Sequence, residues 1–359
     1  MLIDTASQLE SCCDDLAEAE WVTLDTEFMR ERTYYPQLCL IQIGTANNFY
    51  CIDALADIQL DRVLQLLCQH PGTRVLHAAR QDLEIFFHLL DEVTSPVFDS
   101  QIAAGLLGLD AQIGYAGLVK NLVGKELEKG HQRANWANRP LPAGQLEYAL
   151  DDVRYLSEIY PILLERLDQV GRLHWASEDN SHLLDRNLYV TDPAQAFRRI
   201  GQARSLAAQD QHIVRALAQW REQVAQQSDK PRNWIVNDAT LIYLAHTKPD
   251  SLDRLQKVKG IAAELVDRHS ETILSVIAAG CENDSEALMS QATPLSEAEQ
   301  KRYKRLKQRL EQHATNLGIN APVLGTRKDV EWLLRENPKS ALLSGWRKAE
   351  IGEELLTIS

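Results

Sequence analysis

The spacing of apolar residues changes along this chain from the period of strands to the period of helices, and this change limits the folds that the chain can adopt. Apolar residues alternate with polar ones over positions 21–28, and β-rich runs follow at 38–43 and 49–52, as in the strands of a sheet. From Ser100 onward the apolar spacing is helical, most clearly from Gln145 to Leu167. We therefore expect a mixed α/β domain whose strands come early and whose helices come late.

Shorter patterns complete this domain. The tripeptide Ala46-Asn47-Asn48 suits a hairpin turn, so the sheet is expected to open with antiparallel strands. Residues 60–68 and 82–90 have helical spacing, while 74–78 and 97–99 are predicted to form a fourth and a short fifth strand.

The chain is long enough for two or three domains, and it divides at polar and proline-containing stretches. Two intervals, Pro231 to Pro249 and Pro322 to Pro338, each bracket one amphipathic helix, which suggests two related helical modules; two unrelated bundles are the alternative. We predict an α/β domain over 1–170, a connecting helical segment over 171–203, a helical domain over 204–284, a linker over 285–294 and a second helical domain over 295–359.

The net charge and the cysteine content argue against some classes of function. The net charge of −13 argues against a protein that coats nucleic acid by non-specific electrostatics, unless the acids gather where cations bind. The six cysteines form no C-x-x-C pair and are expected to be reduced thiols, without a structural zinc site. With neither a secretory signal nor a membrane-spanning run in the sequence, we expect a cytoplasmic protein.

Two acids stand two residues apart on the first predicted strand. Asp25 and Glu27 project from the same face, so two carboxylates can meet one cation, although such a pair is also common on a solvated strand. Asp82 opens the helix after the 74–78 strand, where its carboxylate can reach the end of the sheet. The helix dipole alone would also favour an acid there.

A phenol and a carboxylate share one face of a later helix. Tyr148 and Asp152 are four residues apart, about one helical turn, whereas Asp151 points elsewhere and is expected to be a surface acid. Together with the three earlier acids, this placement on strand, helix and helix supplies the chemistry of a two-metal phosphoryl-transfer site.

These residues carry a family resemblance to the DEDDy exonuclease superfamily, whose three motifs are matched by Leu24-Asp25-Thr26-Glu27-Phe28, Leu76-His77-Ala78-Ala79-Arg80-Gln81-Asp82-Leu83-Glu84 and Tyr148-Ala149-Leu150 with Asp152. The ribonuclease D family is the closest match, because Trp136-Ala137-Asn138-Arg139-Pro140-Leu141 also looks like that family. Residues 204–279 resemble the HRDC module, a small helical nucleic-acid-binding domain, and the C-terminal stretch looks like a more divergent copy. The resemblance implies a ribonuclease H-like DEDD exonuclease domain followed by two all-α HRDC-type domains.

The same resemblance implies a metal-dependent 3′-to-5′ exoribonuclease that releases 5′-mononucleotides and processes the 3′ ends of tRNA precursors. Its cofactors would be two Mg²⁺ or Mn²⁺ ions, which hard carboxylate ligands suit. Asp25, Glu27 and Asp152 would hold the first metal, with Asp25 bridging, and Asp82 would act on the second, partly through water. Tyr148 would orient the attacking water, since a phenol with a pKa of about 10 is better suited to hydrogen bonding than to strong base catalysis.

Candidate RNA contacts are basic or aromatic, and each has a structural or solvated-face alternative. His77 could touch the terminal nucleotide, and Trp136 and Trp234 could stack on unpaired bases, although buried tryptophans are commoner. Two groups of basic residues could contact the phosphate backbone: Lys248, Lys257 and Lys259, and, on a predicted helix, Lys301, Arg302 and Arg305. The expected partner is RNA, the expected state a monomer, and no membrane association is expected.

Two other functions stay open on the sequence. A DNA exonuclease would share the same metal site, because metals do not read the sugar. A non-catalytic RNA-binding or scaffolding protein would use the acids only as a polar pocket, and the net acidity gives it some support.

Overall fold

The computed structural model describes residues 1–92, 96–127, 130, 134–282, 286–289 and 294–358. The chain forms two compact units. The first comprises Met1–Met29, Leu38–Tyr189 and Leu295–Ser359, and the second comprises Arg30–Gln37 and Val190–Pro294. Much of the predicted linker, residues 285 and 290–293, lies outside the described residues.

A six-stranded mixed sheet organises the first unit, in the order β1-β4-β3-β2-β5-β6. β3 and β4 form the expected antiparallel hairpin, whereas β1 with β4, β2 with β5 and β5 with β6 are parallel. This confirms the predicted mixed α/β class. The strands are β1 (Leu2–Ile3), β2 (Trp21–Met29), β3 (Gln37–Gly44), β4 (Phe49–Asp53), β5 (Thr73–Leu76) and β6 (Val97–Asp99).

The expectation that the sheet opens with antiparallel strands is wrong for its first strand. β1 has two residues, too few to show any periodicity, and it pairs in parallel with β4. Among the described residues of this part of the chain, the α-helices that accompany the sheet are α1 (Ala6–Ala17), α2 (Asp61–Gln69), α3 (Arg80–Leu90), α4 (Ser100–Leu106), α5 (Tyr115–Val123), α6 (Ala143–Gln169) and α7 (Leu173–Ser181).

The helices of the second unit are α8 (Ala208–Ser228), α9 (Arg232–Ile235), α10 (Asp238–Thr247), α11 (Leu252–Gln256) and α12 (Ala263–Cys281). They enclose a core that includes Ile213, Leu217 and Leu244. Short 3₁₀ turns at Pro193–Arg199 and Gly201–Ser205 precede them.

The chain then returns to the first unit with α13 (Glu297–Leu317), α14 (Ala321–Leu324), α15 (Arg327–Leu334), α16 (Gly345–Arg347) and α17 (Glu353–Thr357). Leu306 and Leu310 of α13 share one hydrophobic core with Leu156 and Leu163 of α6. The C-terminal helices are therefore packed with the α/β layer, and their likeness to an HRDC module stays a prediction. None of the helices in the described part of the chain combines the length and the apolar character that a membrane span needs.

Candidate active site

Three carboxylates converge where β2 meets α6. Asp25 and Glu27 project from β2, and Asp152 projects from α6. We call these three residues the carboxylate cluster. Each offers one carboxylate oxygen, and these oxygens all lie within 4.8 Å of one another. The packing of α6 against β2 thus brings together side chains that are 125 to 127 positions apart in the sequence.

A buried threonine holds the two elements of the cluster together. The Thr23 hydroxyl lies 3.0 Å from the carbonyl oxygen of Val153 and 3.1 Å from Ser157 Oγ, both on α6. Gly44 on β3 leaves room for this contact, because a Cβ there would lie 2.3 Å from Thr23 Oγ1. Thr23 stands two residues before Asp25, and Val153 directly follows Asp152, so the spacing of the cluster depends on this contact.

Asp82 lies beside the cluster but outside the set of three. It is buried in the first turn of α3, and its Oδ1 accepts a 2.5 Å hydrogen bond from the Thr26 hydroxyl. The turn that leads into α3 is held by Asp99, whose carboxylate accepts hydrogen bonds from the backbone N–H groups of Ala78 and Ala79 at 3.0 and 2.9 Å. Ala78 has a φ of 55°, a left-handed conformation that these bonds stabilise.

Burial raises the pKa of all four acids, and the charges of neighbouring acids add to this rise. Burial first, and then the charges of Asp152 and Asp82, raise the pKa of Glu27 to about 9. Burial, followed by the charges of Asp151 and Asp82, raises the pKa of Asp152 to about 8. Burial, followed by the charge of Asp152, raises the pKa of Asp25 well above its ordinary value, and burial raises that of Asp82 to about 6. Divalent cations, which are bound by oxygen ligands of this kind, would relieve the repulsion.

Gln42 is a buried neighbour of the cluster that the sequence did not reveal. Its Nε2 donates to Asp25 Oδ2 over 3.5 Å, so the amide faces the carboxylate with its positive end. Within the described residues its Oε1 is buried and has no hydrogen-bond partner. An amide in the middle of an apolar strand gives no sequence signal, because its contact with Asp25 arises only when β2 and β3 lie side by side.

Tyr148 lies one turn before Asp152 on α6, as predicted, and is half-buried. It lines a cleft of about 320 Å³ together with Asp151, Asp152 and Tyr155. Burial, and then the negative charge of Asp152, raises the pKa of the Tyr148 phenol above its ordinary value. The phenol therefore stays protonated at neutral pH and can act as a hydrogen-bonding group.

His77 has both ring nitrogens engaged inside the protein. Nε2 lies 3.1 Å from the carbonyl oxygen of Ile113, to which it must donate, and Nδ1 lies 2.9 Å from Ser100 Oγ. Its ring packs edge-on against Tyr115, whose hydroxyl donates to the carbonyl oxygen of Asp152 over 2.5 Å. Through Tyr115, His77 therefore helps to hold α6 in place.

The predicted basic contacts differ in their surroundings. Lys248 Nζ lies 2.9 Å from Asp210 Oδ1 and 2.5 Å from Gln209 Oε1, and Arg302 Nε donates to the carbonyl oxygen of Ile358. The remaining members of the two groups are exposed to solvent: Lys257, Lys259, Lys301 and Arg305.

The two candidate stacking tryptophans also differ. Trp136 is buried, with 2% of its surface exposed, whereas Trp234 on α9 is 61% exposed. Only Trp234 presents a face on which an unpaired base could stack without rearrangement.

A mixed six-stranded sheet that gathers carboxylates from its central strand and from flanking helices, with a tyrosine one turn away, is the arrangement of a metal-dependent 3′-to-5′ exonuclease. In agreement, residues 1–168 match the family model described as 3′-5′ exonuclease, and residues 210–277 match that of the HRDC domain.

The chain is 35% identical to the ribonuclease D of Acidiphilium cryptum, over 100% of this chain and 92% of that one. It is 33% identical to the ribonuclease D of Granulibacter bethesdensis, over 99% and 92% of the two chains. Among solved structures it resembles Escherichia coli RNase D, described as an exoribonuclease involved in structured RNA processing. That match has a TM-score of 0.87 and 30% identity, and it covers 99% of this chain and 97% of the other.

The chain therefore belongs to the ribonuclease D family and is a 3′-5′ exoribonuclease. The predicted family, enzyme class and HRDC domain are confirmed. Of the three functions that the sequence left open, family membership favours the exoribonuclease over the DNA exonuclease and over the non-catalytic binding protein.

Proposed function

We propose that this exoribonuclease trims the 3′ extensions of tRNA precursors and releases 5′-mononucleotides by two-metal-ion hydrolysis. The observation that carries the proposal is the carboxylate cluster, with Asp82 beside it and Tyr148 one helical turn away. Its donors are all oxygens, and burial, together with the charges of neighbouring acids, raises the pKa values of Glu27 and Asp152, an effect that bound cations would offset.

The four acids would hold two Mg²⁺ or Mn²⁺ ions. Asp25, Glu27 and Asp152 would bind the first ion, Asp25 would be shared, and Asp82 would act on the second, partly through water. Bound there, the two ions would activate a water molecule and stabilise the leaving oxygen of the 3′-terminal phosphodiester. Thr26 would keep Asp82 oriented through its 2.5 Å hydrogen bond.

Tyr148 would orient the attacking water. Its phenol lines the cleft beside Asp152 and, with a raised pKa, keeps the proton that it needs to donate. Such a group fixes the line of attack without taking the proton away. The cleft, of about 320 Å³, lies where the terminal nucleotide would enter.

RNA would be held along its backbone by exposed basic residues. Lys257 and Lys259 in the second unit and Lys301 and Arg305 on α13 offer ammonium and guanidinium groups to solvent. Trp234 could add a stacking contact, since its ring is largely exposed. Lys248 and Arg302 would also contact the RNA backbone, although each already donates a hydrogen bond to an acceptor within the protein.

We further propose that the protein works as a monomer in the cytoplasm. All six cysteines are free and five of them are buried, as suits a compartment that keeps thiols reduced. Size-exclusion chromatography with light scattering would give the mass of one chain; a stable dimer would contradict the monomer.

The substrate is tested with a tRNA precursor that carries a 3′ extension, the same tRNA without it, and two short single strands of one uracil-free sequence, one of RNA and one of DNA. We expect stepwise release of 5′-mononucleotides from the precursor in Mg²⁺ or Mn²⁺, none in chelator, and a slowing at the mature end. Because only the 2′-hydroxyl separates the matched RNA and DNA strands, equal rates on both would contradict RNA selectivity. No preference for the extended over the mature tRNA would contradict the proposed substrate.

A further inference from the structure

The segment Trp136-Ala137-Asn138-Arg139-Pro140-Leu141 supports the family assignment, but neither metal binding nor hydrolysis as described above uses it. Its anchor is Arg139, a planar group with five N–H donors. Nε and one Nη2 hydrogen are directed at the two oxygens of Asp53, both over 2.6 Å, and the other Nη2 hydrogen at the carbonyl oxygen of Cys39 over 3.1 Å. Nη1 donates to the carbonyl oxygens of Trp136 and Asn138 over 2.7 and 2.8 Å. All five donors are used.

These bonds fasten the segment to the sheet. Cys39 lies in β3 and Asp53 is the last residue of β4, so one guanidinium joins the segment to two strands. Burial alone would raise the pKa of Asp53, but the hydrogen bonds from Arg139 and from the backbone outweigh it and lower that pKa. The pair thus stays ionised at neutral pH, and a bidentate, charge-assisted contact of this kind fixes direction as well as distance.

The fastened segment presents Trp136 to the start of α6. The indole is buried in a small cluster with Cys39, Cys51 and Ala149, and Tyr148 packs against this cluster. The ring centroids of Trp136 and Tyr148 are 6.2 Å apart, with 30° between the planes. With 2% of its surface exposed, Trp136 is closed to a base of the RNA and instead forms a wall for the tyrosine ring.

We propose that Trp136, held in place by the Arg139–Asp53 ion pair, is a positioning residue that sets the direction of the Tyr148 phenol. The inference rests on the proposed role of Tyr148. A tyrosine on one face of a helix has several side-chain rotamers, and a rigid indole beside the ring excludes some of them. The segment thereby contributes to hydrolysis without touching the substrate, which gives the Trp136–Leu141 sequence a role before the third motif.

A double-mutant cycle tests this coupling. The values of kcat and KM for mononucleotide release from a short single-stranded RNA in Mn²⁺ are measured for wild type, Trp136→Leu, Tyr148→Phe and the double variant. We expect Trp136→Leu to lower kcat about 10- to 100-fold with little change in KM, as for a misplaced catalytic group. In the Tyr148→Phe background the same substitution should change kcat by less than about 2-fold, because the group it positions is gone. Trp136→Phe, which keeps an aromatic wall, should restore most of kcat.

Mn²⁺ affinity, measured by calorimetry without RNA, should be the same in all four proteins, since the carboxylate cluster is not altered. Should Trp136→Leu lower kcat by the same factor in both backgrounds, Trp136 would act independently of Tyr148 and the inference would be overturned. An unchanged kcat in Tyr148→Phe itself would instead overturn the proposed role of Tyr148, and the inference with it. If Trp136→Leu does not fold, the cycle is run with Arg139→Lys, which keeps the charge but lacks the five-donor fork and carries the same expectation.

Discussion

The C-terminal helices share a hydrophobic core with the nuclease domain, so we expect a tryptophan in those helices to contribute to the stability of that domain. Trp346 of α16 is buried, and its ring stacks on Trp175 of α7 with centroids 4.1 Å apart and 10° between the planes. Its Nε1 donates to Asp179 Oδ1 over 3.0 Å, and Asp179 also accepts a 2.9 Å hydrogen bond from Arg347. Trp346→Ala removes the stack and one of these bonds at once.

The expected loss of stability in Trp346→Ala follows from the surface area that the tryptophan buries. A buried tryptophan removes roughly 200 Å² from water, which at about 25 cal/mol per Å² corresponds to about 5 kcal/mol as an upper value. Tryptophan-to-alanine changes in cores cost about 3–5 kcal/mol. We therefore expect the free energy of unfolding of the first unit to fall by about 3–5 kcal/mol, with a urea midpoint lower by about 1–2 M.

The assay follows circular dichroism and residual exonuclease activity across a urea titration. Trp234→Ala is the matched control, because that ring is 61% exposed and its loss should cost less than about 0.5 kcal/mol. Activity and helical signal should be lost together at the lower midpoint in Trp346→Ala. An activity midpoint for Trp346→Ala that stays at the wild-type value would contradict a supporting role of the C-terminal helices.

Three further predictions concern the site and its substrate. Thr23→Val should cost about 1–3 kcal/mol of stability and weaken Mn²⁺ binding in calorimetry, because the buried hydroxyl that joins β2 to α6 is lost; unchanged Mn²⁺ affinity would contradict the role given to Thr23. In chelator, the thermal midpoint should fall as the pH rises, because the folded protein keeps protons on Glu27 and Asp152 that the unfolded chain releases at a pKa of about 4. This stabilisation is complete below about pH 4 and is lost as the pH rises through about 8 and about 9, the raised pKa values of Asp152 and Glu27. Mn²⁺ should reduce the fall, and a flat midpoint in chelator would contradict the raised pKa values. Replacing Lys301 and Arg305 together by glutamine should lower the slope of log Kd against log salt for single-stranded RNA by about 1.4, and an identical slope would remove both residues from the interface.

Local periodicity predicts which candidate site residues share a face of their own element, and the resemblance to the three exonuclease motifs joins them into one site. Asp25 and Glu27 share a face because strand side chains alternate, and Tyr148 and Asp152 share one because a helical turn has about four residues. Asp82 is predicted from a different local feature, its position at the start of the helix that follows a strand. Such rules place side chains within an element, so the site residues that they predict are those whose relation is local.

Contacts between elements were not predictable from one sequence. The Thr23 hydroxyl meets the carbonyl oxygen of Val153 across 130 positions, and Thr26 meets Asp82 across 56. Arg172 donates to the carbonyl oxygen of Leu317 across 145 positions, part of the contact that places the C-terminal helices in the core of the nuclease. No periodicity records such pairs, because they depend on how complete elements pack.

The assignment of the carboxylate cluster as the metal site is tested most directly by measuring the rate at which 5′-mononucleotides leave a 3′-labelled single-stranded RNA in Mn²⁺ for two neighbouring substitutions. Asp152 belongs to the carboxylate cluster, whereas Asp151, one residue earlier on α6, forms an ion pair with Arg154. Asp152→Asn should slow release about 10³-fold, the equivalent of losing about 4 kcal/mol of transition-state stabilisation, and Asp151→Asn should stay within about 3-fold of wild type. Comparable rates for the two variants, whether both fast or both slow, would contradict the assignment of the carboxylate cluster as the metal site.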